Sequence, residues 1–124
     1  MSSKSKARIL VVEDESLIRW DLMFRLEEAG FEVVEAGSAA EATQILEGND
    51  DIRAVFTDIQ MPGKMDGLAL AHYVRKRWPP TVIIIASGNM VGFDELPDNV
   101  ALFSKPYDWD KWPKLLNSIM AQLA

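Results

Sequence analysis

Short apolar runs recur along the chain, and most are followed by a stretch whose apolar residues fall three or four apart. Ile9-Leu10-Val11-Val12 is the first run, and it reads as a strand buried on both faces. Ile18, Leu22, Leu26 and Ala29 then form one helical stripe, with Gly30 as its C-terminal cap. Phe31-Glu32-Val33-Val34 predicts a second strand. Ser38, with Glu41 three residues on, makes a capping box for a helix through Ile45 and Leu46 that stops at Gly48. After the polar turn Asn49-Asp50-Asp51, residues 54–58 predict a third strand, and Pro62 keeps it from continuing. Asp66 is an N-cap for a helix through Leu68, Ala71, Val74 and Trp78, ended by Pro79-Pro80. Residues 81–86 carry the strongest strand pattern, and residues 100–103 the last. A final helix places Trp112, Leu115, Leu116, Ile119, Met120 and Leu123 on one face, with Pro113 in its first turn. Its start falls either at Asp108 or near Trp112.

Strand–helix repetition with apolar strands implies an α/β fold, a parallel sheet covered by helices on both faces. Crossovers are right-handed, and five strands fit the flavodoxin-like order 2-1-3-4-5. That order sets strands one and three side by side. One segment resists the alternation. Between Asn89 and Asn99, Gly92 and Pro97 oppose a helix interior. The helix expected there is short or disordered, at most about one turn in a mobile loop.

Composition narrows the function. The 124 residues suit one domain, 1–124, with residues 1–6 as a flexible tail. A net charge of −6 argues against sequence-independent binding to nucleic acid or to an anionic membrane, and it suits a cation or a basic protein partner. There is no Cys, which excludes disulfides and thiolate metal sites. No stretch is apolar for long enough to serve as a signal h-region or a membrane span, so the cytoplasm is the expected location.

The chemistry gathers at strand ends, where open α/β sheets bind ligands. Strand one runs into Glu13 and Asp14, strand three into Asp58, strand four into Ser87 and strand five into Lys105. Taken alone, Asp58 is most simply a turn former. Glu13 and Asp14 could cap a helix, Ser87 could sit in a turn, and Lys105 could be a solvated lysine. Together they mean more. Clustered carboxylates repel, and a hard divalent cation such as Mg²⁺ resolves the conflict with oxygen ligands. A hydroxyl and an ammonium beside them complete a phosphoryl-transfer site, with an Asp able to carry an acyl phosphate.

Glu13-Asp14, Asp58 with Met61-Pro62, Asp66-Gly67, Ser87 and Lys105-Pro106 resemble a response-regulator receiver domain (CheY-like) of two-component signalling. The likeness runs from about Lys6 to the C-terminus. It implies that Asp58 is the phosphoacceptor, and that Asp14, Asp58 and the backbone carbonyl of Gln60 hold Mg²⁺, with Glu13 helping through water. Ser87 and Lys105 would bind the phosphoryl group, and the Lys105-Pro106 bond would be cis. The phosphodonor would be a sensor histidine kinase or a histidine phosphotransfer protein, and the output an unspecified downstream protein reached through a switching surface. The domain would be no enzyme in its own right, although it assists its own phosphorylation and dephosphorylation.

Some features depart from the family. The aromatic residue expected three positions before the lysine is Leu102, and Phe103 points to the opposite face. Ser87 and Lys105 are closer in sequence than usual, and Lys64 looks like an insertion. These features resemble the single-domain receivers called the FATGUY group, although Ala86-Ser87-Gly88-Asn89 departs from its signature. Output would then be an order–disorder change of residues 89–99. His72, Trp78 and the run Arg75-Lys76-Arg77 read as packing or solvated-face residues. Trp109 and Trp112 read as core edges, with a partner surface as the other use. A flavodoxin-like electron carrier would need a phosphate loop where Glu13-Asp14-Glu15 stands. An Asp-nucleophile phosphatase would want a second Asp where Gln60 stands. The main alternative is a non-phosphorylated pseudo-receiver acting as a protein-binding module. A stand-alone regulator and an excised receiver both fit a chain that stops at Ala124.

Overall fold

The computed structural model describes residues 7–59, 66–88 and 95–123. Five strands, β1 (Arg8–Val12), β2 (Glu32–Ala36), β3 (Ile52–Asp58), β4 (Val82–Ser87) and β5 (Val100–Ser104), form one parallel sheet in the order β2-β1-β3-β4-β5. Among the described residues the α-helices are α1 (Ser16–Glu28), α2 (Ala39–Glu47), α3 (Gly67–Arg77) and α4 (Trp112–Leu123). Fold class and strand order are as the pattern predicts.

Period-two alternation along the strands builds two cores from one sheet. Ile9, Val11, Phe56, Ile84 and Ala86 face α1 and α4, against Leu22, Leu26, Leu115 and Ile119. Leu10, Val12, Val55, Ile83 and Ile85 face α2 and α3, against Ala42, Leu46, Leu70 and Val74. Each fully buried Leu or Ile contributes on the order of 2 kcal/mol. β3 begins two residues earlier than the pattern predicts, at Ile52. The cause is a register shift between Arg8 and Ile9, whose β3 partners are Ile52 and Ala54. Exposed Arg53 is the extra residue. The shift resets the parity of the strand, so Ile52 joins Val55 on the α2/α3 side.

The helix punctuation is chemically explicit. Ser38 accepts the Glu41 N–H at 3.1 Å, while Glu41 reaches back to the Gly37 N–H at 2.9 Å. Asp66 caps α3 by accepting the Ala69 N–H at 2.9 Å. Gly30 takes the left-handed φ of 99° that ends α1. Both candidate starts of the last helix are used. Asp108 caps a 3-10 turn, Trp109–Lys111, which leads into α4 at Trp112.

Three expectations change. Met120 is exposed, because α4 buries only Trp112, Leu115 and Ile119 against the sheet. Arg75 is no solvated-face residue: it donates to the carbonyls of Pro79, Thr81, Asp98 and Asn99, tying the end of α3 to the entries of β4 and β5. β2 continues past Val34 to Ala36, which pairs with Val12. Between β4 and β5, Glu95 to Asn99 contain no α-helix. The remainder of the expected mobile loop, residues 89–94, lies outside the described residues, as do the tail 1–6 and Gln60.

Candidate functional site

Register brings the strand ends together. Val12 pairs with Thr57, Asp58 with Ala86, and Ser87 with Ser104. Glu13, the residue after β1, therefore stands beside Asp58, while Lys105, after β5, lies one strand further away across β4 and reaches Asp58 with its side chain. Carboxylate oxygens of Glu13, Asp14 and Asp58 all lie within 4.8 Å of one another. Lys105 Nζ donates to Asp58 Oδ2 at 2.8 Å and stands 3.5 Å from Glu13 Oε2. Ser87 is half-buried at the end of β4, and its carbonyl accepts the Lys105 N–H at 3.0 Å. The Lys105-Pro106 bond is cis. Glu13, Asp14, Asp58, Ser87 and Lys105 thus meet at one end of the sheet.

Burial makes this an electrostatically loaded place. Glu13 is 1% exposed. Burial raises its pKa most; the Glu15 N–H lowers it, the Asp58 charge raises it and Lys105 lowers it, and the net effect pushes it up to about 7. Glu13 Oε2 is buried with no hydrogen-bond partner among the described residues. Its ion-pair neighbour is Lys105 at 3.5 Å, and a buried carboxylate oxygen that lacks a hydrogen bond, beside two further carboxylates, is what a hard cation satisfies. The donor set therefore fits Mg²⁺. Burial alone would lower the pKa of Lys105, but its bond to Asp58 and the charges of Glu13 and Asp58 hold it above the ordinary lysine value.

The alternative use of the acids, helix capping, is not realised by a side chain. The N-cap of α1 is Glu15, and it makes no side-chain capping bond. Leu102 and Phe103 do lie on opposite faces: Phe103 is buried against Phe56 and Trp112, and Leu102 is exposed. Tyr107 stacks on Phe103 at 5.5 Å. Its pKa is raised by burial first, then by the charges of Glu13, Asp58 and Glu15.

Other site-building residues carried little sequence signal. A Cβ on Gly67 would lie 1.7 Å from the Asp58 carbonyl oxygen, so only glycine lets α3 begin against the end of β3. The Asp66-Gly67 pair was visible, but the close approach was not. On α1, Leu17, Trp20 and Phe24 are 77%, 54% and 60% exposed. They form a second apolar stripe, at i, i+3 and i+7, beginning three residues after Asp14.

A family model, the response regulator receiver domain, matches residues 9–96. The transcriptional regulatory protein PdtaR of Mycobacterium tuberculosis is 42% identical over 82 residues, covering 64% of this chain and 38% of that protein. The sensor kinase CckA of Brucella abortus is 37% identical over 83 residues, covering 66% of this chain and 9% of that protein. The chain thus spans well under two thirds of either relative. A receiver domain structure from Clostridium thermocellum superposes with a TM-score of 0.82 at 29% identity, covering 94% of this chain and 95% of that one. With strand order, converging acids and family model in agreement, the chain belongs to the response-regulator receiver domain family.

Proposed function

We propose that the protein, as one receiver domain over residues 1–124 in the cytoplasm, accepts a phosphoryl group from a phosphohistidine donor onto Asp58. The observation that carries this reading is the buried three-carboxylate cluster with Lys105 hydrogen-bonded to Asp58. A pseudo-receiver that only binds protein has no need of such an arrangement, since it costs desolvation without a reaction to serve.

Glu13, Asp14 and Asp58 would hold Mg²⁺, with the Gln60 carbonyl as a further ligand. When bound, the ion neutralises charge on the transferring oxygens. A carboxylate oxygen of Asp58 attacks phosphorus, the P–O bond forms, and the P–N bond to the donor imidazole breaks. The leaving nitrogen takes up a proton. Lys105 exchanges its bond from the Asp58 carboxylate to a phosphoryl oxygen, and the Ser87 hydroxyl donates to another. Water later cleaves the acyl phosphate. For as long as Asp58 carries the phosphoryl group, the added charge draws Lys105 and Ser87 inward, biasing the surface around β5 and α4 that serves the downstream partner.

The exposed Leu17-Trp20-Phe24 ridge supports a protein donor. Apolar ridges of this kind mark protein contacts. This one starts beside the site and is flanked by exposed Glu15, Asp21 and Glu28, so it suits a helical groove with a basic rim. The test is transfer from a labelled phosphohistidine protein. Label should reach the wild type and not Asp58→Asn; equal labelling of both would overturn the assignment.

A further inference from the structure

Arg19 grips the backbone of the turn that carries two of the candidate ligands, Glu13 and Asp14. Its Nη1 donates to the Glu13 carbonyl at 2.7 Å, and its Nε donates to Glu35 Oε1 at 2.8 Å. The next residue of β2, Ala36, accepts the Glu13 N–H at 3.1 Å. Both backbone polar groups of Glu13 are thus held, one by β2 directly and one through a bridge from α1 to β2. The Arg19 side chain is only 14% exposed.

We infer that Arg19 is a positioning residue for the metal site. The inference rests on reading Glu13, Asp14 and Asp58 as the metal ligands. Three carboxylates in one place push the β1–α1 turn outward, away from Asp58. Restraint on the Glu13 carbonyl opposes that push and leaves the carboxylates converged before a cation arrives. A planar guanidinium suits the task, because its fork serves two acceptors in fixed directions; an ammonium does not. Glu35 is the outer anchor that aims the fork.

The position of Arg19 makes the inference sharply testable, because its charge and its geometry act in opposite directions. As a charge alone, Arg19 repels a cation held by the nearby acids, so removing it would tighten Mg²⁺ binding. As a strap, it preorganises the ligands, so removing it weakens binding. Mg²⁺ titrated calorimetrically into the wild type, R19K, R19Q, E35Q and D14N separates the two. Arg19→Lys and Arg19→Gln are each expected to weaken Mg²⁺ about tenfold, the range for residues that orient metal ligands. Glu35→Gln, which leaves Arg19 in place and the fold least disturbed, should weaken it by a smaller factor. Amide exchange at Glu13 should rise in R19K even without metal. R19K or E35Q binding Mg²⁺ like the wild type, or R19Q binding it more tightly, would overturn the strap. A wild type that binds Mg²⁺ no better than D14N would instead overturn the metal reading on which the inference rests.

Discussion

Lys105 Nζ donates to Asp58 Oδ2 at 2.8 Å while standing 3.5 Å from Glu13 Oε2. One ammonium therefore serves two carboxylates that are both buried. Lys105→Met removes the cation and leaves the acids facing one another. Stability without metal should fall by about 2 kcal/mol. Mg²⁺ affinity should rise, because the ion's competitor for Asp58 is gone. Denaturant unfolding with and without Mg²⁺ reads both effects, and a metal-free stability equal to wild type would count against the geometry.

Gly67 abuts the backbone of Asp58 so closely that a methyl group there would lie 1.7 Å from the Asp58 carbonyl oxygen and 2.8 Å from Ile59 Cα. Neither neighbour is a flexible side chain, so the strand end must shift. Gly67→Ala should destabilise the fold by roughly 3 kcal/mol and displace Asp58. Thermal unfolding, with phosphorylation by acetyl phosphate as a second readout, checks this. A variant with wild-type stability would mean that α3 does not start against β3 as described.

Of these two relationships only the first is legible in the sequence. Strand ends, and hence the convergence of Glu13, Asp14, Asp58, Ser87 and Lys105, followed from short apolar runs that each stop on a polar residue. That inference needs only the period of a strand and the order of the sheet. Arg75 departs from its sequence expectation because a cation on a helix usually faces water. Its role depends on four carbonyls at the ends of other segments, which no local pattern encodes. The β3 start is hidden in the sequence because the extra residue at Arg53 breaks the alternation that defines a strand. Gly67 and Arg19 act on backbone atoms brought near only by the fold.

Glu13 makes the metal-free protein sensitive to pH. Its ordinary pKa of 4.5 is raised to about 7 in the fold, chiefly by burial. Between those values the folded protein keeps a proton that the unfolded chain has released. Stability from this group is therefore full below the lower value and is lost as pH rises through the upper one. Mg²⁺ binding must displace the same proton, so affinity should climb with pH up to about 7 and then level. Glu13→Gln should flatten the stability profile. A mutant profile with the wild-type slope would show that another group is responsible.

The α1 ridge predicts a split between donors. Trp20→Lys and Phe24→Lys change exposed residues, so stability should stay within about 0.5 kcal/mol of wild type. Phosphorylation by acetyl phosphate, which needs no docking, should be unchanged. Transfer from a phosphohistidine protein should fall at least about tenfold, the loss of one or two interface anchors. Equal losses with both donors would place the defect in the site and not in docking.

Covalent phosphorylation of Asp58 is most directly tested by intact mass spectrometry after incubation with acetyl phosphate and Mg²⁺, on the wild type and Asp58→Ala. The wild type should gain one phosphoryl group that is lost on omission of Mg²⁺, and the variant should gain none. A wild type that stays unmodified, or a variant that gains as much as the wild type, would contradict the assignment of Asp58 as the phosphoacceptor.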